Sequence, residues 1–390
     1  MEKLLFSLVI FFSYFFIISY KHENIVVYGS TLSCVIFCFY HLLIILKTRE
    51  ITIKITKEDR NLIISFLLYA VYTFLIGIIF GIENMSFFKV LSNNLFILTF
   101  ILMLINFENY KESFRKISIL ISYGFITVGI FSIILYLNKI YGVIFNFKFP
   151  FVSIYNEEDM LSYYREIRFQ SMFSHKAKFA FYCIIGIFLL SINKKISTKV
   201  KYFGLIILFI NVILTNSITS MLASGLLLWT TLDFKKINRY LRFGFYLISL
   251  LILIPYVLKV FNYMSTVREL DTLGSRGVIW GYAIEFYKSH LFGVIDNWYF
   301  YTLGNMFKGA HNVFLNEILD YGIIGGILFF VVFINYFYSL YRLNKRNISL
   351  LFPTIILFMV DNILYGDIVP VFLFAFILIK IISSANNNHS

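Results

Sequence analysis

Long apolar segments repeat along the chain from its first residues to its last, and short polar segments separate them. A helix crosses the hydrocarbon core of a bilayer with roughly 20 mostly apolar residues. Because lipid offers no water to backbone N–H and C=O groups, these groups must pair within each crossing helix. The pattern therefore predicts an all-α polytopic membrane protein, with residues 1–390 forming one integral membrane domain. It predicts about 12 transmembrane helices, at about residues 4–20, 25–46, 61–80, 90–107, 117–137, 177–192, 202–216, 218–232, 243–261, 318–340, 348–365 and 368–382.

Lysine and arginine are concentrated in every second loop between the predicted spans. Each of these loops carries at least three basic residues, and they lie at 47–60, 108–116, 193–201, 233–242 and 341–347. Cytoplasmic loops are enriched in Lys and Arg, so we expect these loops and both termini in the cytoplasm. The intervening loops are then external, and two of them are long, at about 138–176 and 262–317. The polar end at about 384–390 is expected to be disordered.

Two regions depart from a simple series of straight spans. The predicted helices at 202–216 and 218–232 are short, and the segment that joins them, 215–220, is strongly polar. Such a polar turn is tolerated below the headgroups only beside protein or a water-filled cavity. The apolar segment 312–341 is too long for one straight span, and Gly322, Gly325 and Gly326 divide it. We expect a short interfacial helix there, followed by the true span.

Composition agrees with the membrane class, since 59% of the residues are hydrophobic and 14% are charged, against about 25% charged residues in soluble domains. The net charge of +13 is distributed mostly over the short loops, which argues against nucleic acid as a partner. The cysteines Cys34, Cys38 and Cys183 lie inside apolar segments. They are interpreted as small apolar residues rather than as a disulfide or metal site.

The predicted spans contain almost no ionisable residues, and Asp361 is the main exception. Charges within spans usually mark ion or proton pathways, so their scarcity argues against an ion-coupled transporter. Asp361 itself has two interpretations. It lines a functional site, or it is a hydrated carboxylate at the membrane interface.

Four cations are close together at the end of the first long external loop, between residues 163 and 178. They are Arg165, Arg168, Lys176 and Lys178. The guanidinium group matches the geometry of phosphate oxygens, which makes Arg168 the strongest phosphate-binding candidate. The alternative is attraction to lipid headgroups, and Lys176 and Lys178 fit that interpretation well.

The second long external loop carries the other candidates. Arg276 is followed by Trp280 one helical turn later, which suits a cation–π contact or the start of a helix. His311 suits acid–base chemistry near neutral pH, although a lone histidine is often structural. The sequence shows no metal-ligand spacing and no phosphate-binding glycine loop. Catalysis is therefore expected to need no metal, nucleotide or other cofactor.

Together these motifs resemble the O-antigen ligase and O-antigen polymerase (Wzy) superfamily of bacterial envelope proteins. The resemblance covers the arginine loop from Arg168, the Ser275-Arg276 pair with Trp280 and Gly293, and the block from His311-Asn312 to Gly322 and Gly325. The predicted topology agrees with it as well. The chain departs from the family pattern in several places, at Ile218, His175-Lys176, His290 and Ile295.

The resemblance implies a metal-independent, inverting glycosyl transfer from an undecaprenyl-diphosphate-linked glycan on the outer face of the bacterial cytoplasmic membrane. Arg168 and Arg276 would stabilise the departing diphosphate, and His311 would take the proton from the acceptor hydroxyl. Substrate binding would fall to Arg165, Lys176, Trp280, Asn312 and Asp320. Glu317 is an alternative to Asp320 for orienting or hydrating the site.

The first functional hypothesis is an O-antigen or capsular repeat-unit polymerase, which extends one lipid-linked repeat with another. Its expected partners are the lipid-linked glycans, the bilayer, a chain-length regulator and a flippase. An O-antigen ligase would use the same chemistry with lipid A–core as acceptor. A polysaccharide-unit flippase is a third hypothesis, but it predicts repeat-related halves and charges inside the spans.

Overall fold

The computed structural model describes residues 2–15, 19–22, 25–48, 55, 57–80, 87–141, 154–155, 168–173, 175–231, 276–295, 300–302, 305–307 and 309–387. These residues form twelve α-helices: α1 Glu2–Tyr14, α2 Gly29–Thr48, α3 Lys57–Phe80, α4 Phe87–Ile105, α5 Phe107–Tyr141, α6 Lys176–Ile192, α7 Thr198–Leu214, α8 Ile218–Thr231, α9 Arg276–Ser289, α10 Val313–Leu343, α11 Leu351–Val360 and α12 Ile368–Asn387. A 3₁₀-helix, Lys345–Leu350, precedes α11.

Three short antiparallel strand pairs lie between the helices. They are β1 Ser19–His22 with β2 Ile25–Tyr28, β3 Ile154–Tyr155 with β4 Arg168–Phe169, and β5 Phe300–Thr302 with β6 Asn305–Phe307. The first pair aligns Ser19 with Tyr28, and the second aligns Tyr155 with Arg168. Each is only a two-stranded hairpin, so the chain is helical in architecture.

Six helical segments of the described residues are long and apolar enough to cross a membrane. They lie in α2, α3, α4, the 117–137 part of α5, α10 and α12. This confirms the polytopic α-helical class, whereas the number of twelve spans stays a prediction. The predicted span 243–261 and the basic loop 233–242 lie outside the described residues.

Helices α6 and α12 form the centre of the bundle. Residues 177–190 of α6 are buried at every position, and 94% of the apolar window of α12 is buried inside the protein. Around them, α6 packs against α7, α8 and α12, and α12 packs also against α4 and α5. A helix that is apolar on all sides is expected in the interior of such a bundle.

The N-terminal spans were predicted with the wrong bounds. The predicted first span extends to residue 20, but α1 ends at Tyr14, and residues 19–22 pair as strand β1 with residues 25–28 of β2. The predicted second span starts at residue 25, but α2 begins only at Gly29. The residues Ile25-Val26-Val27-Tyr28 are β-branched or aromatic, which favours a strand. An apolar strand and an apolar helix cannot be told apart by hydrophobicity alone.

Two other expectations were also wrong. The basic segment 108–116 was predicted as a loop but is helical. Helix α5 begins at Phe107, directly after a turn at Asn106, and includes this segment. The predicted span 348–365 is divided into the end of the 3₁₀-helix, the ten residues of α11, and a non-helical segment after Val360. Residues 361–367 join α11 to α12 and are called the α11–α12 segment below.

The structure confirms the protein burial of one irregular region and the interruption of the other, whereas their positions relative to the membrane stay predictions. The turn between α7 and α8 is buried in protein, with Thr215 and Ser220 at 0% exposure. Helix α10 is interrupted at Gly322, whose φ of 71° and ψ of −177° are not helical. The short part of α10 before Gly322 therefore differs in direction from the part after it.

A buried ion pair joins the far end of α12 to α3. Lys380 pairs with Asp59, and its Nζ atom lies 4.6 Å from the centroid of the Phe107 ring. The side chains are 8% and 6% exposed. This lysine corrects the expectation that Asp361 is the main ionisable residue of the spans. Its positive charge is balanced by a carboxylate, as buried charges require.

Candidate active site

His311 and Asp361 meet at one end of the bundle. The Nδ1 atom of His311 lies 3.5 Å from Oδ1 of Asp361, and the two side chains are 40% and 17% exposed. His311 precedes Asn312, the N-cap of α10, and Asp361 begins the α11–α12 segment. Asp361 thus lies beside a candidate catalytic residue, and its role in a functional site stays a prediction.

The loop that carries His311 is held by hydrogen bonds on both sides of the histidine. The Ala310 N–H donates to Oδ1 of Asn316 at 2.9 Å, and the Ala310 carbonyl accepts from Nε1 of Trp280 at 2.8 Å. Asn312 caps α10, and its side chain accepts from Leu315 N at 3.0 Å. His311 itself has a φ of 49°. A left-handed backbone is uncommon outside glycine and is enriched at functional sites.

Arg276 is the first residue of α9 and reaches the same region. Its Nε donates to the carbonyl of Val360 at 3.0 Å. Val360 ends α11 and precedes Asp361, so the guanidinium group lies beside the Asp361 carboxylate and attracts it. The helix-start interpretation of Arg276 is confirmed. Trp280 uses its indole N–H to hold the loop of His311.

His175, at the start of α6, is the fourth residue in this region. It is the N-cap of α6, where its Nδ1 accepts from Ala177 N at 3.3 Å. Burial lowers its pKa, as do Lys176, Lys178 and His311, whereas Asp361 raises it. The net shift keeps His175 neutral at pH 7. We call His175, Arg276, His311 and Asp361 the His–Asp–Arg cluster.

Asp361 is a stable anion within this cluster. Burial raises its pKa, but the hydrogen bond from His311 and the charges of His175, His311 and Arg276 lower it, and the net direction is downward. A carboxylate that is charged at neutral pH next to an imidazole orients the ring and stabilises its protonated form. Nδ1 of His311 is the ring nitrogen that faces this carboxylate.

Lys178 corrects an expectation. It was assigned to lipid headgroups, but its side chain is 0% exposed. Its Nζ donates to Oδ1 of Asp367 and to the carbonyl of Tyr365, both at 2.7 Å. Because it lies at the buried end of α6, it binds the α11–α12 segment instead of the membrane surface.

The turn after α9 is fixed to the interruption in α10. Val294 N donates to the Leu319 carbonyl at 3.0 Å, and Ile295 N donates to the Asp320 carbonyl at 3.2 Å. Both carbonyls lie just before Gly322, where the regular helical pattern ends. An added Cβ on Gly293 would overlap the Asp320 carbonyl, and one on Gly322 would overlap that of Leu291. Both glycines have positive φ, so the close approach depends on them.

The carboxylates of α10 are paired with α3 and α4. Asp320 lies 3.4 Å from Nζ of Lys89, and Oε2 of Glu317 accepts from the Tyr69 hydroxyl at 2.6 Å. The hydroxyl of Tyr72 donates to the Tyr321 carbonyl at 3.0 Å. These contacts attach the first part of α10 to the neighbouring helices. A substrate-binding role for Asp320 stays a prediction.

The structure describes the remaining predicted site residues to different extents. Arg165 lies outside the described residues, and for Arg168 only the backbone, in β4, is described. Lys176 begins α6 next to His175. Trp280 and Asn312 make the structural contacts given above, and their binding of substrate stays a prediction. Within the described part of the chain, no group of three or more His, Cys, Asp and Glu residues is arranged to hold a metal ion.

One family comparison bears on this geometry. Residues 203–330 match the family model described as O-antigen ligase. The match confirms the resemblance to the O-antigen polymerase and ligase superfamily, whose members are glycosyltransferase-like enzymes. A search of the curated proteins gave no match.

The matched segment contains Arg276, Trp280 and His311 and ends before Asp361. The apolar helices indicate a membrane protein, and the family implies the bacterial inner membrane. The sequence analysis treated His175 only as a departure from the family pattern, and it did not predict that Asp367 is the partner of Lys178. The charge of Asp361 within an apolar segment was the one signal that pointed to it, since intramembrane charges are often functional.

Proposed function

We propose that the chain is a repeat-unit polymerase for an O-antigen or capsular polysaccharide. The observation that carries the proposal is the pairing of His311 with Asp361 beside Arg276, at the end of the bundle that the charge pattern assigns to the outside. A base and a fixed cation are the two groups that transfer from a lipid diphosphate requires.

In the proposed reaction, Nε2 of His311 takes the proton of an acceptor sugar hydroxyl. The hydroxyl oxygen forms a bond to the anomeric carbon of the donor glycan, from the face opposite the diphosphate. The bond between that carbon and the phosphate oxygen breaks, and its electron pair leaves with undecaprenyl diphosphate. Attack from the opposite face inverts the anomeric configuration.

Asp361 and Arg276 stabilise the two charges that develop in this step. Asp361 stabilises the imidazolium that His311 becomes, since the carboxylate is already charged and faces Nδ1. Arg276 is held through Nε, and we assign its guanidinium group, whose geometry matches phosphate oxygens, to the diphosphate. We assign the same role to Arg168 and propose that Arg165, Lys176, Trp280, Asn312 and Asp320 help to bind the glycan.

A ligase is the second candidate, because the matching family model is described as O-antigen ligase. The donor chemistry would be identical, and only the acceptor would change to lipid A–core. The same arrangement of His311, Asp361 and Arg276 serves both reactions.

A gel of envelope polysaccharide distinguishes these functions. A strain that lacks the gene is compared with strains complemented by the wild type, by His311→Ala and by the control Glu285→Gln, which alters an exposed ion pair on α9. Polymerase activity predicts core lipid with a single repeat and no ladder in the deletion and His311→Ala strains. Bare core with polymer on the lipid carrier would indicate a ligase. A normal ladder in the deletion strain would contradict both functions.

A further inference from the structure

Lys178 makes three contacts within three consecutive residues of the α11–α12 segment. Its Nζ lies 2.7 Å from Oδ1 of Asp367, 2.7 Å from the Tyr365 carbonyl oxygen, and 3.4 Å from the centroid of the Tyr365 ring. The side chains of Lys178 and Asp367 are 0% and 2% exposed. The ammonium group thus binds the main chain, a carboxylate and an aromatic face of one short segment.

This segment has little regular structure of its own. It is non-helical from the end of α11 to the start of α12, and within it Tyr365 N donates to the Ile363 carbonyl. Gly366 has a φ of 62°, and its backbone lies against the Tyr28 hydroxyl at the end of β2. Asp361 N, at the start of the segment, donates to the Leu357 carbonyl of α11 at 3.0 Å, and the residues that follow it depend on contacts from other elements for their position.

The same end of α6 provides the direct contacts to the Asp367 end of the segment. His175 caps the helix and lies within electrostatic range of Asp361, and Lys178 follows one turn later. Positions three residues apart lie on the same face of a helix. Thus α6 holds the α11–α12 segment at its Asp367 end through Lys178, and its first turn lies near the Asp361 end.

We propose that the Lys178–Asp367 pair is a positioning device that fixes the α11–α12 segment so that Asp361 faces His311. The inference rests on the proposed function, because it concerns the base assigned there. A buried ion pair often contributes less stability than apolar side chains of the same volume. Its directional bonds to one carbonyl and one carboxylate nevertheless give the segment a defined position, which apolar packing would not.

The chain contains a matched control. Lys380 and Asp59 also form a buried lysine–aspartate pair, again with the ammonium near an aromatic ring, and Lys380 lies on α12. Thirteen residues of helix separate position 380 from position 367, which is about 20 Å at 1.5 Å per residue. Removal of this pair imposes the same kind of change on the bundle at a distance from Asp361.

The test compares two double variants, Lys178→Met with Asp367→Asn, and Lys380→Met with Asp59→Asn. Both charges are removed together, because a single change would leave an unpaired buried charge and strongly destabilise the protein. The purified proteins in nanodiscs receive lipid-linked repeats extracted from the deletion strain, and release of undecaprenyl diphosphate is measured against substrate concentration. We expect kcat to fall about 10- to 100-fold in the first variant, as for a small misplacement of a catalytic group. KM should stay within about twofold in that variant, and the control pair should keep the wild-type kcat.

A second comparison separates positioning from a general structural effect. If the pair acts through Asp361, then adding Lys178→Met and Asp367→Asn to Asp361→Asn lowers kcat no further, since coupled sites are non-additive. A fully additive loss, or a wild-type kcat in the first double variant, would overturn the inference. A wild-type kcat in Asp361→Asn alone would instead overturn the proposed catalytic pair.

A conservative variant covers the case in which the double variant does not fold. Asp367→Glu keeps both charges paired but moves the carboxylate by one methylene group, and Asp59→Glu is its control. We expect Asp367→Glu to fold and to show a lower kcat, while Asp59→Glu keeps the wild-type rate. Equal rates in these two variants would contradict a positioning role.

Discussion

At the scale of single residues, Asp361 and His311 are expected to act as a pair. Asp361→Asn keeps the shape of the side chain and removes the charge that faces Nδ1 of His311. We expect kcat to fall about 10- to 100-fold, whereas His311→Ala, which removes the base, should lose about 10²- to 10⁴-fold. Release of undecaprenyl diphosphate by the purified variants measures both losses, with Glu285→Gln as the control. A larger loss in Asp361→Asn than in His311→Ala would contradict the assigned roles.

His175 makes a prediction about pH and stability. Its pKa in the folded protein is lowered, mainly by burial and also by Lys176 and Lys178, despite the attraction of Asp361. The unfolded chain therefore binds a proton at His175 more readily, and stability is lost as pH falls from about 6.5 through the lowered value.

Replacement of His175 by asparagine should remove this loss. Asparagine is a favourable N-cap and does not titrate, so His175→Asn keeps the helix start of α6. Thermal unfolding followed by tryptophan fluorescence at several pH values between about 7 and 5, around the ordinary histidine pKa, measures the effect. We expect the wild type to lose more stability than His175→Asn over this range. The same pH dependence in both proteins would show that His175 is not the titrating group.

At the scale of elements, the attachment of the α9 turn to the interruption in α10 depends on two glycines. Gly322 has a φ and ψ that only glycine adopts readily, and Gly293 approaches the Asp320 carbonyl. We expect Gly322→Ala and Gly293→Ala to lower the unfolding free energy by about 1–3 kcal/mol.

Gly281 is the matched control for these glycines. It lies inside α9, and an added Cβ there would meet no atom within 4 Å. Gly281→Ala should therefore stabilise the protein, by about 0.5–1 kcal/mol. Thermal unfolding of the three variants in one detergent measures the difference. Equal stability in all three would mean that the α9 turn is not held at Gly322.

The helices and strands also show which parts of the fold could be predicted from the sequence. Apolar length alone predicted α3, α4, α6 and α12, because a helix in lipid must be long and apolar. It failed at α11, since the residues after Val360 are largely apolar yet leave the helix at Asp361. It failed again at the β1–β2 hairpin, where the choice of a strand over a helix depends on contacts such as that of Tyr28 with Gly366.

The candidate site was predictable only in part. His311 and Arg276 stand in recognisable local motifs, so sequence reasoning found them. His175 and Asp361 join them through packing between segments that are distant in the chain, and no local spacing encodes such a contact. Lys178 was misassigned for the same reason. A lysine near the end of a span suits a headgroup contact unless its partner, here Asp367, is known.

At the scale of the whole molecule, the two ends of α6 indicate on which side of the membrane the site lies. The 17 residues of α6 span about 25 Å at 1.5 Å per residue, with His175 at one end and the basic segment of Lys194 and Lys195 at the other. The charge pattern assigns the basic end to the cytoplasm. The His–Asp–Arg cluster is then expected on the external face.

Cysteine labelling tests this orientation. Single cysteines at Lys194→Cys and Ser289→Cys, both at exposed positions, are introduced after Cys34, Cys38 and Cys183 have been replaced by alanine. A membrane-impermeant maleimide should label the Ser289→Cys protein in intact spheroplasts and the Lys194→Cys protein only after lysis. The reverse pattern would place the cluster in the cytoplasm and contradict the proposed external site.

The central claim is that the protein transfers a glycan from a lipid diphosphate with His311 as the base. Its most direct test is the purified wild-type protein in nanodiscs with lipid-linked repeats extracted from the deletion strain. We predict free undecaprenyl diphosphate together with a lengthened lipid-linked glycan whose new linkage is inverted at the anomeric carbon by NMR, and neither product with His311→Ala. A wild-type protein that yields no product, or a His311→Ala protein that yields both at the wild-type rate, would contradict the claim.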